Sequence, residues 1–457
     1  MSSDISRDDA VRASVSMDAS GLCMVPEGVA RPASADEVVE LVRQAAAERT
    51  PVTAAGGQTS TTGASISDRG VLLSLRAMDK ILDLDPAART ARVQPGVLVG
   101  DLKRAAAEHG LLFAPDPTSE EESTVGGAVA CNASGARSLR YGATRPHVLG
   151  LTVVTASGET VQVRRSGLEK NTVGYAMAHE PVDWFVGSEG TLGVIVEAEL
   201  ALLPAPGRVI GLGVPFASER DALAFVVAAR ESAALGARCL EFFDERAFEI
   251  ARRAHGGDGW AAGARALVYT EDAAADADAE PPLDAWLELA ERHRALDADV
   301  LVFDGEGPLR EARRMRHAVP ATMNERGSAC RAAGGRKVST DWAVPYRLLA
   351  DAIEEARGVA DRAGVEQAVC YGHAGNGHPH QNFVARDADE LRRIEGVVEQ
   401  TLRHVLTLGG TVAAEHGIGK IKRRWLPLQM TPAQLGVMRA VKRELDPDGI
   451  FAPGNVL

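Results

Sequence analysis

The segment Val186-Gly187-Ser188-Glu189-Gly190-Thr191-Leu192-Gly193-Val194-Ile195-Val196-Glu197-Ala198 runs from a glycine-rich loop into a stretch rich in β-branched residues. Because valine and isoleucine favour strands, the pattern predicts a loop followed by a strand. It is the third glycine-rich segment of the chain, after residues 56–63 and 125–136. None of these segments has the G-x-G-x-x-G pattern between a strand and a helix, so together they indicate an extended nucleotide cofactor held outside a Rossmann unit.

The first two glycine-rich segments each allow two interpretations. Residues 56–63 follow a predicted strand at 52–55, and their glycines and hydroxyls suit a nest of backbone N–H groups around a diphosphate. Taken alone, this segment favours an ordinary Gly/Ser/Thr turn. Residues 125–136 are so poor in bulky side chains that they either pack closely on another backbone or lie against a large flat ligand. Composition alone favours close packing there.

Capping and turn chemistry predicts several elements elsewhere. Ser34 and Glu37 form a capping box that opens an amphipathic helix ending before Pro51, and Ser119 and Glu122 have the same spacing. The acidic tract at 271–280 predicts a solvated surface loop. A domain boundary is expected at 204–207. Further predicted elements are strands at 266–269 and 300–303 and a capped helix from Thr431 to Leu445.

Two later segments, residues 371–380 and 409–419, gather imidazoles and a carboxylate among glycines. Imidazole and carboxylate suit a borderline divalent cation, and three protein ligands with an open coordination position are typical of a catalytic site. The candidate ligands are His373, His380 and Glu415. His416 and His378 are then left for proton transfer or hydrogen bonding. A solvated turn is the alternative for the first segment, and a plain surface position ahead of Pro379 is the alternative for His378.

Composition bounds the class of protein. A chain of 457 residues is too long for one ordinary core, so two domains are expected. A net charge of −13 argues against nucleic-acid binding. The five cysteines include no C-x-x-C pair, which suits a reducing compartment and argues against an iron–sulfur cluster of the usual spacing. Without a signal peptide or a long apolar run, the cytoplasm is expected, with peripheral contact at the inner membrane face as an alternative.

Taken in order, these segments resemble the FAD-linked oxidases and dehydrogenases of the vanillyl-alcohol oxidase type, in the branch of D-lactate dehydrogenases, D-2-hydroxyglutarate dehydrogenases and the flavin subunit of glycolate oxidase. The segments that carry the resemblance are 186–198, 132–142 with Arg145, 373–380, 415–419 and 446–454. The resemblance implies an α+β fold: a PCMH-type FAD-binding domain of two α+β subdomains, plus a cap domain with an antiparallel β-sheet covered by helices. The implied division is an N-terminal extension at 1–24, the FAD domain at 25–205, the cap with the metal site at 206–420, and a C-terminal segment at 421–457 that returns to the FAD domain.

The resemblance also implies roles for individual residues. The FAD contacts would be Gly56, Gly57, Gln58, Thr59 and Ser60 in the first loop, Asp116, Pro117, Gly126, Gly127, Asn132, Gly135 and Tyr141 in the second, and Gly187, Glu189, Gly190, Gly193 and Ile195 in the third. His373, His380 and Glu415 match the family's metal ligands, and His416 matches its catalytic base. Arg316 and Lys337 resemble the residues that bind the substrate carboxylate, with Arg313 or Arg336 as alternative counterparts.

The chain departs from the family pattern at three places. Asn376 replaces the usual aspartate of the metal loop, His378-Pro379 replaces the usual Asn-Leu, and Ala452 replaces the usual asparagine of the C-terminal N-P-G turn. These changes concern the surroundings of the metal and the fit of the substrate. No histidine stands in the first glycine loop, so non-covalent FAD is expected.

The expected function is therefore the oxidation of a D-2-hydroxy acid, with D-lactate as the first candidate, by hydride transfer to flavin N5. A divalent metal is expected to assist, zinc first, with manganese or iron as alternatives. Quinone, cytochrome, an electron-transfer flavoprotein and oxygen all remain open as electron acceptors, and a homodimer is one arrangement open to the chain. The alternatives are the flavin subunit of a glycolate oxidase-type complex, a zinc-dependent hydrolase without flavin, and an inert FAD-binding scaffold.

Overall fold

The computed structural model describes residues 5–257, 259–274 and 279–457, which form two compact units. The first unit comprises the chain up to Gly135, then Gly142–Ala205 and Glu415–Leu457. The second unit comprises Ala136–Tyr141 and Pro206–Ala414. The chain therefore leaves the first unit for six residues before returning to it. The predicted four-segment division, with boundaries at 25, 206 and 421, stays a prediction.

Helices and strands are numbered separately in chain order. The helices are α1 (Asp9–Ser14), α2 (Ala35–Glu48), α3 (Val99–Ala107), α4 (Val125–Cys131), α5 (Ser138–Tyr141), α6 (Val182–Phe185), α7 (Glu219–Glu231), α8 (Glu245–Ala254), α9 (Leu283–Arg292), α10 (Glu306–Ala329), α11 (Leu349–Arg362), α12 (Ala388–Thr407), α13 (Leu426–Gln429) and α14 (Pro432–Leu445). The strands are β1 (Gly28–Ala30), β2 (Val52–Ala55), β3 (Val71–Ser74), β4 (Ile81–Asp85), β5 (Thr90–Val93), β6 (Leu111–Leu112), β7 (Val148–Val154), β8 (Thr160–Arg164), β9 (Val194–Ala201), β10 (Leu203–Pro204), β11 (Val209–Phe216), β12 (Cys239–Asp244), β13 (Ala266–Ala273), β14 (Leu301–Asp304), β15 (Gly334–Ser339), β16 (Val369–His373) and β17 (His378–Asp387).

The first unit contains two layered substructures. A parallel three-stranded sheet in the order β1-β3-β2 shares one core with helix α2, which buries Val38, Leu41, Val42 and Ala45. An antiparallel five-stranded sheet in the order β4-β5-β9-β7-β8 shares a second core with α3 and α4. The C-terminal segment joins the parallel sheet, since Val52 donates from its amide to Ile450 O at 2.7 Å and accepts from the amide of Ala452 at 2.8 Å.

The second unit is built on one antiparallel sheet of seven strands in the order β14-β11-β13-β12-β16-β17-β15. Side chains alternate between the two faces of a sheet, so Glu241 shares the face of Cys239 and Phe243, which packs against α8 and α10. Helices α7, α11 and α12 lie against the opposite face. Together the two units confirm the α+β fold, with two α+β substructures and a helix-covered antiparallel sheet.

Several predicted elements are confirmed where the local chemistry is decisive. The side chain of Ser34 accepts a hydrogen bond from the amide of Glu37 and begins α2, and Thr431 and Gln434 form a complete capping box at the start of α14. The predicted strand at 52–55 is β2. The predicted strands at 266–269 and 300–303 correspond to β13 and β14, although β13 continues to Ala273.

One local prediction is wrong, and the capping-box spacing of Ser119 and Glu122 does not begin a helix. Ser119 and Glu122 form a turn, while α4 begins later, after Thr124, whose hydroxyl accepts from the amide of Gly127 at 3.2 Å. The expected solvated loop at 271–280 begins instead as buried strand, with Glu271 2% exposed and Asp272 fully buried. Both carboxylates are buried because the fold gives them hydrogen-bond partners from other elements. Residues 275–278 of that tract lie outside the described residues.

Candidate functional site

The first glycine loop offers a run of backbone donors directly after strand β2. Within the described part of the chain, the amides of Gly57, Gln58, Thr59 and Ser60 donate to no protein acceptor. Gln58 has a φ of +56°, and its side chain turns away to donate to Val15 O at 2.9 Å. Successive backbone amides without a protein acceptor can form the nest of N–H groups that a diphosphate requires. The loop therefore fits the predicted diphosphate site.

At several of the predicted cofactor glycines, atoms of other residues lie too close to leave room for a side chain. A Cβ at Gly57 would lie 2.0 Å from Glu122 O, and one at Gly56 would lie 2.1 Å from the hydroxyl oxygen of Thr124. In the second segment, a Cβ at Gly126 would lie 2.5 Å from Pro95, and one at Gly135 would lie 2.0 Å from Asp116 O. The close packing that composition favoured for this segment is thus present. It brings the first and second glycine loops together.

The third loop is tied to the second by backbone hydrogen bonds. The amides of Gly187 and Glu189 donate to Val129 O at 3.0 Å and Ala130 O at 2.8 Å. The carboxylate of Glu189 is buried and accepts from the amides of Ile418 at 2.6 Å and Gly419 at 2.7 Å. Burial raises the pKa of Glu189, partly offset by these two amides. The side chain of Glu189 therefore holds the C-terminal segment on the third loop.

The other predicted cofactor residues have varied surroundings. Asn132 ends α4 and accepts through its side chain from the amide of Arg145 at 2.8 Å. Gly193 and Ile195 pack into the five-stranded sheet, where a Cβ at Gly193 would lie 2.5 Å from Val153. Gly190 lies in the third loop, between Glu189 and Gly193, with a φ of +72°. Pro117 directly follows Asp116, whose carbonyl oxygen lies against Gly135. Tyr141 belongs to the second unit, where its hydroxyl accepts from Nε of Arg238 at 3.2 Å. Its role as a cofactor contact stays a prediction.

Glu415 and His416 begin the third segment of the first unit. Glu415 accepts from the hydroxyl of Ser134 at 3.0 Å, and Nε2 of His416 lies 3.4 Å from Glu415 Oε1. The hydroxyl of Thr62, in the first glycine loop, donates to His416 O at 3.4 Å. The His416 side chain is 23% exposed, so it is not a core histidine. The structure therefore brings His416 beside the first and second glycine loops.

In the second unit, His373, His378 and His380 form one buried cluster. His373 ends β16 and is the cross-strand partner of His378, while His380 lies two residues further along β17 on the same face. The ring centroids are 4.6 to 5.4 Å apart, and each ring is at most 5% exposed. One ring nitrogen from each histidine lies within 4.8 Å of the others. The alternative of a solvated turn is thereby excluded for this segment.

Glu241 supports the histidine cluster from the neighbouring strand β12. Its Oε1 lies 2.6 Å from Nδ1 of His373, and its Oε2 accepts from Nε of Arg316 at 3.1 Å. Burial alone would raise the pKa of Glu241, but His373 and Arg316 outweigh burial and lower it to about 2. A carboxylate on one nitrogen of a histidine fixes the other nitrogen for a metal. The donor set therefore fits a divalent cation, and no local pattern in the sequence marks Glu241.

His378 is not the surface residue that one interpretation of the sequence allowed. It is buried, and its Nε2 lies 3.0 Å from Oδ1 of Asp341. His378 and His380 are two residues apart on strand β17, so both rings lie on the same face of the sheet. Asp341, like Glu241, is marked by no local pattern. Glu415, the predicted carboxylate ligand, belongs to the other unit.

The predicted carboxylate-binding residues lie on the face that carries the histidines. Arg316 on α10 is 8% exposed and bound to Glu241, and Lys337 on β15 donates to the side-chain oxygen of Asn324 on α10 at 2.8 Å. Burial lowers the pKa of Lys337 to about 8. Arg336, one alternative, points to the other face and pairs with Glu395 of α12 at 3.3 Å. The orientation of the strand therefore favours Lys337 over Arg336.

Two family models match the chain. One, described as "FAD binding domain", matches residues 26–164, and the other, described as "FAD linked oxidases, C-terminal domain", matches residues 206–456.

Curated relatives match over 94% of this chain. They include the glycolate oxidase subunit GlcD of Bacillus subtilis (30% identical, 89% of its length covered), a D-lactate dehydrogenase of Anaerostipes hadrus (31%, 89%) and a D-2-hydroxyglutarate dehydrogenase of Xanthomonas citri (32%, 89%). Among solved structures, an alkyldihydroxyacetonephosphate synthase shares the fold, with a TM-score of 0.73 at 18% identity over 98% of this chain and 83% of that one. No helix in the described ranges is long and apolar enough to span a membrane.

Proposed function

Because the chain belongs to the FAD-linked oxidases, we propose that it is an FAD-dependent dehydrogenase that oxidises a D-2-hydroxy acid to the 2-oxo acid. The observation that carries this proposal is the buried Glu241 carboxylate, which holds both a histidine of the candidate metal site and a candidate carboxylate-binding arginine. One side chain thereby fixes the two kinds of group that a 2-hydroxy acid needs. The names of the relatives support the same class of substrate.

FAD would be held by the three glycine loops of the first unit. The unengaged amides of residues 57–60 would bind its diphosphate, and non-covalent binding is proposed because no histidine stands in that loop. Bound FAD supplies the hydride acceptor of the reaction. The carboxylate of Glu189 keeps the C-terminal segment in place on the third loop.

The metal would be held by His373, His380 and Glu415. A divalent cation there, zinc first with manganese or iron as alternatives, supplies Lewis acidity toward the α-hydroxyl group. Glu241 would fix the orientation of His373, and Asp341 would fix the orientation of His378.

The substrate carboxylate would be bound by Arg316 and Lys337. Arginine binds a carboxylate through a planar fork, whereas lysine offers a single point charge. Glu241 holds Nε of Arg316, which restricts the directions in which its terminal nitrogens point. His416, partly exposed and beside two glycine loops, would take the hydroxyl proton as hydride leaves the α-carbon.

An anaerobic titration of the purified holoenzyme tests the proposal. D-2-hydroxy acids should bleach the flavin absorption bands, the matched L enantiomers should not, and a chelator should suppress the bleaching. Full reduction by substrate in metal-free protein would remove the metal from the mechanism. A flavoprotein that no 2-hydroxy acid reduces would overturn the proposed reaction.

A second candidate is the flavin subunit of a glycolate oxidase-type complex, favoured by the similarity to GlcD from two bacteria at 30% identity. It predicts reduction by glycolate together with slow turnover until partner chains are added. A flavin-free zinc hydrolase would leave both FAD-linked family matches without a role, so it is not proposed.

A further inference from the structure

The second unit contains a cluster of arginines around the buried carboxylate of Glu271, close to Glu241. Glu271 of β13 accepts two parallel hydrogen bonds from Arg137, at 2.8 and 2.9 Å, and one from NH1 of Arg238 at 3.0 Å. The hydroxyl of Tyr269 donates to the same carboxylate at 3.0 Å. Burial would raise the pKa of Glu271, but the surrounding arginines, including Arg313, lower it to about 2. Glu271 is thus a buried anion at neutral pH.

This cluster lies next to the candidate catalytic groups on the same face of the sheet. In the antiparallel register, Glu241 is opposite Tyr269 and Cys239 is opposite Glu271. Glu241 and Glu271 are therefore diagonal neighbours, with their Cβ atoms roughly 7 Å apart. On the covering helix α10, Arg313 precedes Arg316 by three residues, so both side chains leave the same side of the helix.

The cluster carries more positive charge than Glu271 neutralises. Besides Arg137, two further cations, Arg238 and Arg313, lie near the single carboxylate of Glu271. The Nε atom of Arg313 is buried, and no acceptor among the described residues lies within hydrogen-bond distance of it. A buried donor without an acceptor destabilises a protein, and the positive charge of the neighbouring guanidinium groups favours an anion as that acceptor. An anion with acceptor oxygens therefore suits this place.

We propose that Arg238 and Arg313 form a second carboxylate subsite, adjacent to Arg316, that binds the distal carboxylate of a dicarboxylic D-2-hydroxy acid. This inference rests on the proposed function and narrows its substrate class. Arg316 and Lys337 bind the carboxylate next to the reacting carbon, and the second subsite binds the far end of the molecule. Short monocarboxylates such as D-lactate leave the subsite without its anion.

The kinetic test compares two substrates of equal length on the holoenzyme. D-2-hydroxyglutarate and D-2-hydroxypentanoate both have five carbons, but only the first carries a distal carboxylate. The wild type is expected to be reduced about tenfold or more efficiently by the dicarboxylate, the gain of a charge-assisted hydrogen bond. Arg313→Gln should remove that preference, lowering reduction by the dicarboxylate about tenfold or more relative to the monocarboxylate. Arg314→Gln, at an exposed neighbouring position of α10, is the matched control and should behave as the wild type.

A binding measurement separates failure of the subsite from failure of the proposed reaction. Calorimetry on the holoenzyme compares glutarate with pentanoate, neither of which can be oxidised at a hydroxyl group. Tighter binding of glutarate that Arg313→Gln abolishes and Arg313→Lys partly restores supports the subsite, even if no hydroxy acid reduces the flavin. Equal binding of the two acids, or equal losses for both in Arg313→Gln, overturns it.

Discussion

Glu241 Oε1 lies 2.6 Å from Nδ1 of His373, and both side chains are almost completely buried on one face of the seven-stranded sheet. Because the second oxygen of Glu241 binds Arg316, this contact couples a candidate metal ligand to a candidate substrate anchor. A change in Glu241 should therefore affect both functions at once.

Glu241→Gln is expected to weaken metal affinity roughly 10- to 100-fold, because an amide orients and polarises His373 less well than a carboxylate. The KM for the hydroxy acid should rise in the same variant, since Arg316 loses its charged partner. Metal content after dialysis and steady-state kinetics measure the two effects. Asp244→Asn is the matched control: this buried carboxylate on the same strand caps α8, and asparagine is an equally good N-cap, so the variant should fold and leave metal content unchanged.

The two histidines of strand β17 should differ in what their removal does. His380→Ala is expected to strip the metal, because His380 is a proposed ligand. His378→Asn should retain the metal, because Asp341 already engages Nε2 of His378 in the wild type. The same variant should lower the rate of flavin reduction. Elemental analysis of both proteins decides between these roles. Equal metal loss in the two variants would make His378 a ligand.

Lys337 should give substrate binding a pH dependence. Burial lowers its pKa to about 8, so the charged form that binds a carboxylate is present below that pH and is lost as the pH rises through it. The affinity for the 2-oxo acid product, measured by perturbation of the flavin spectrum, should fall across this range. Lys337→Arg keeps its charge at every accessible pH and should flatten the profile. An unchanged profile in this variant would assign the titration to another group.

His416→Asn should leave FAD and metal bound while slowing flavin reduction roughly 10²- to 10⁴-fold, the usual contribution of a general base. Rapid-mixing absorbance measures the rate, and the flavin spectrum together with metal content serves as the control for folding. Reduction at the wild-type rate would remove His416 from proton transfer.

Elements marked by their own local chemistry could be predicted from the sequence. Helix α2 begins where Ser34 and Glu37 form their cap, and β2 has the length its β-branched start and following glycines indicate. Glu271 and Asp272 could not be placed this way, because the partners that allow their burial come from distant parts of the chain. Arg137 is 134 residues from Glu271, and Trp286, which donates to Asp272, is packed there by helix α9.

The candidate site likewise contains residues that a sequence motif marks and residues that none marks. His373 and His380 stand out in the sequence because imidazoles among glycines are unusual, and the structure brings them into one cluster. Their supports, Glu241 and Asp341, lie in other strands and loops with no motif, so only the register of the sheet reveals them. The number of glycines in the second loop is visible in the sequence. The structure adds the physical cause for several of them, which is close packing against another part of the chain.

The return of the C-terminus to strand β2 sets an order for folding during synthesis. The second unit ends at Ala414, so all of its strands have left the ribosome before the first unit receives Ile450 and Ala452, which flank Val52. The cofactor-binding unit is therefore completed last, by contacts that span about four hundred residues of sequence. A nascent or prematurely truncated chain would have a complete second unit and, within the first unit, an unpaired edge of the parallel sheet. We expect chaperones and proteases to distinguish incomplete chains from complete ones at that edge.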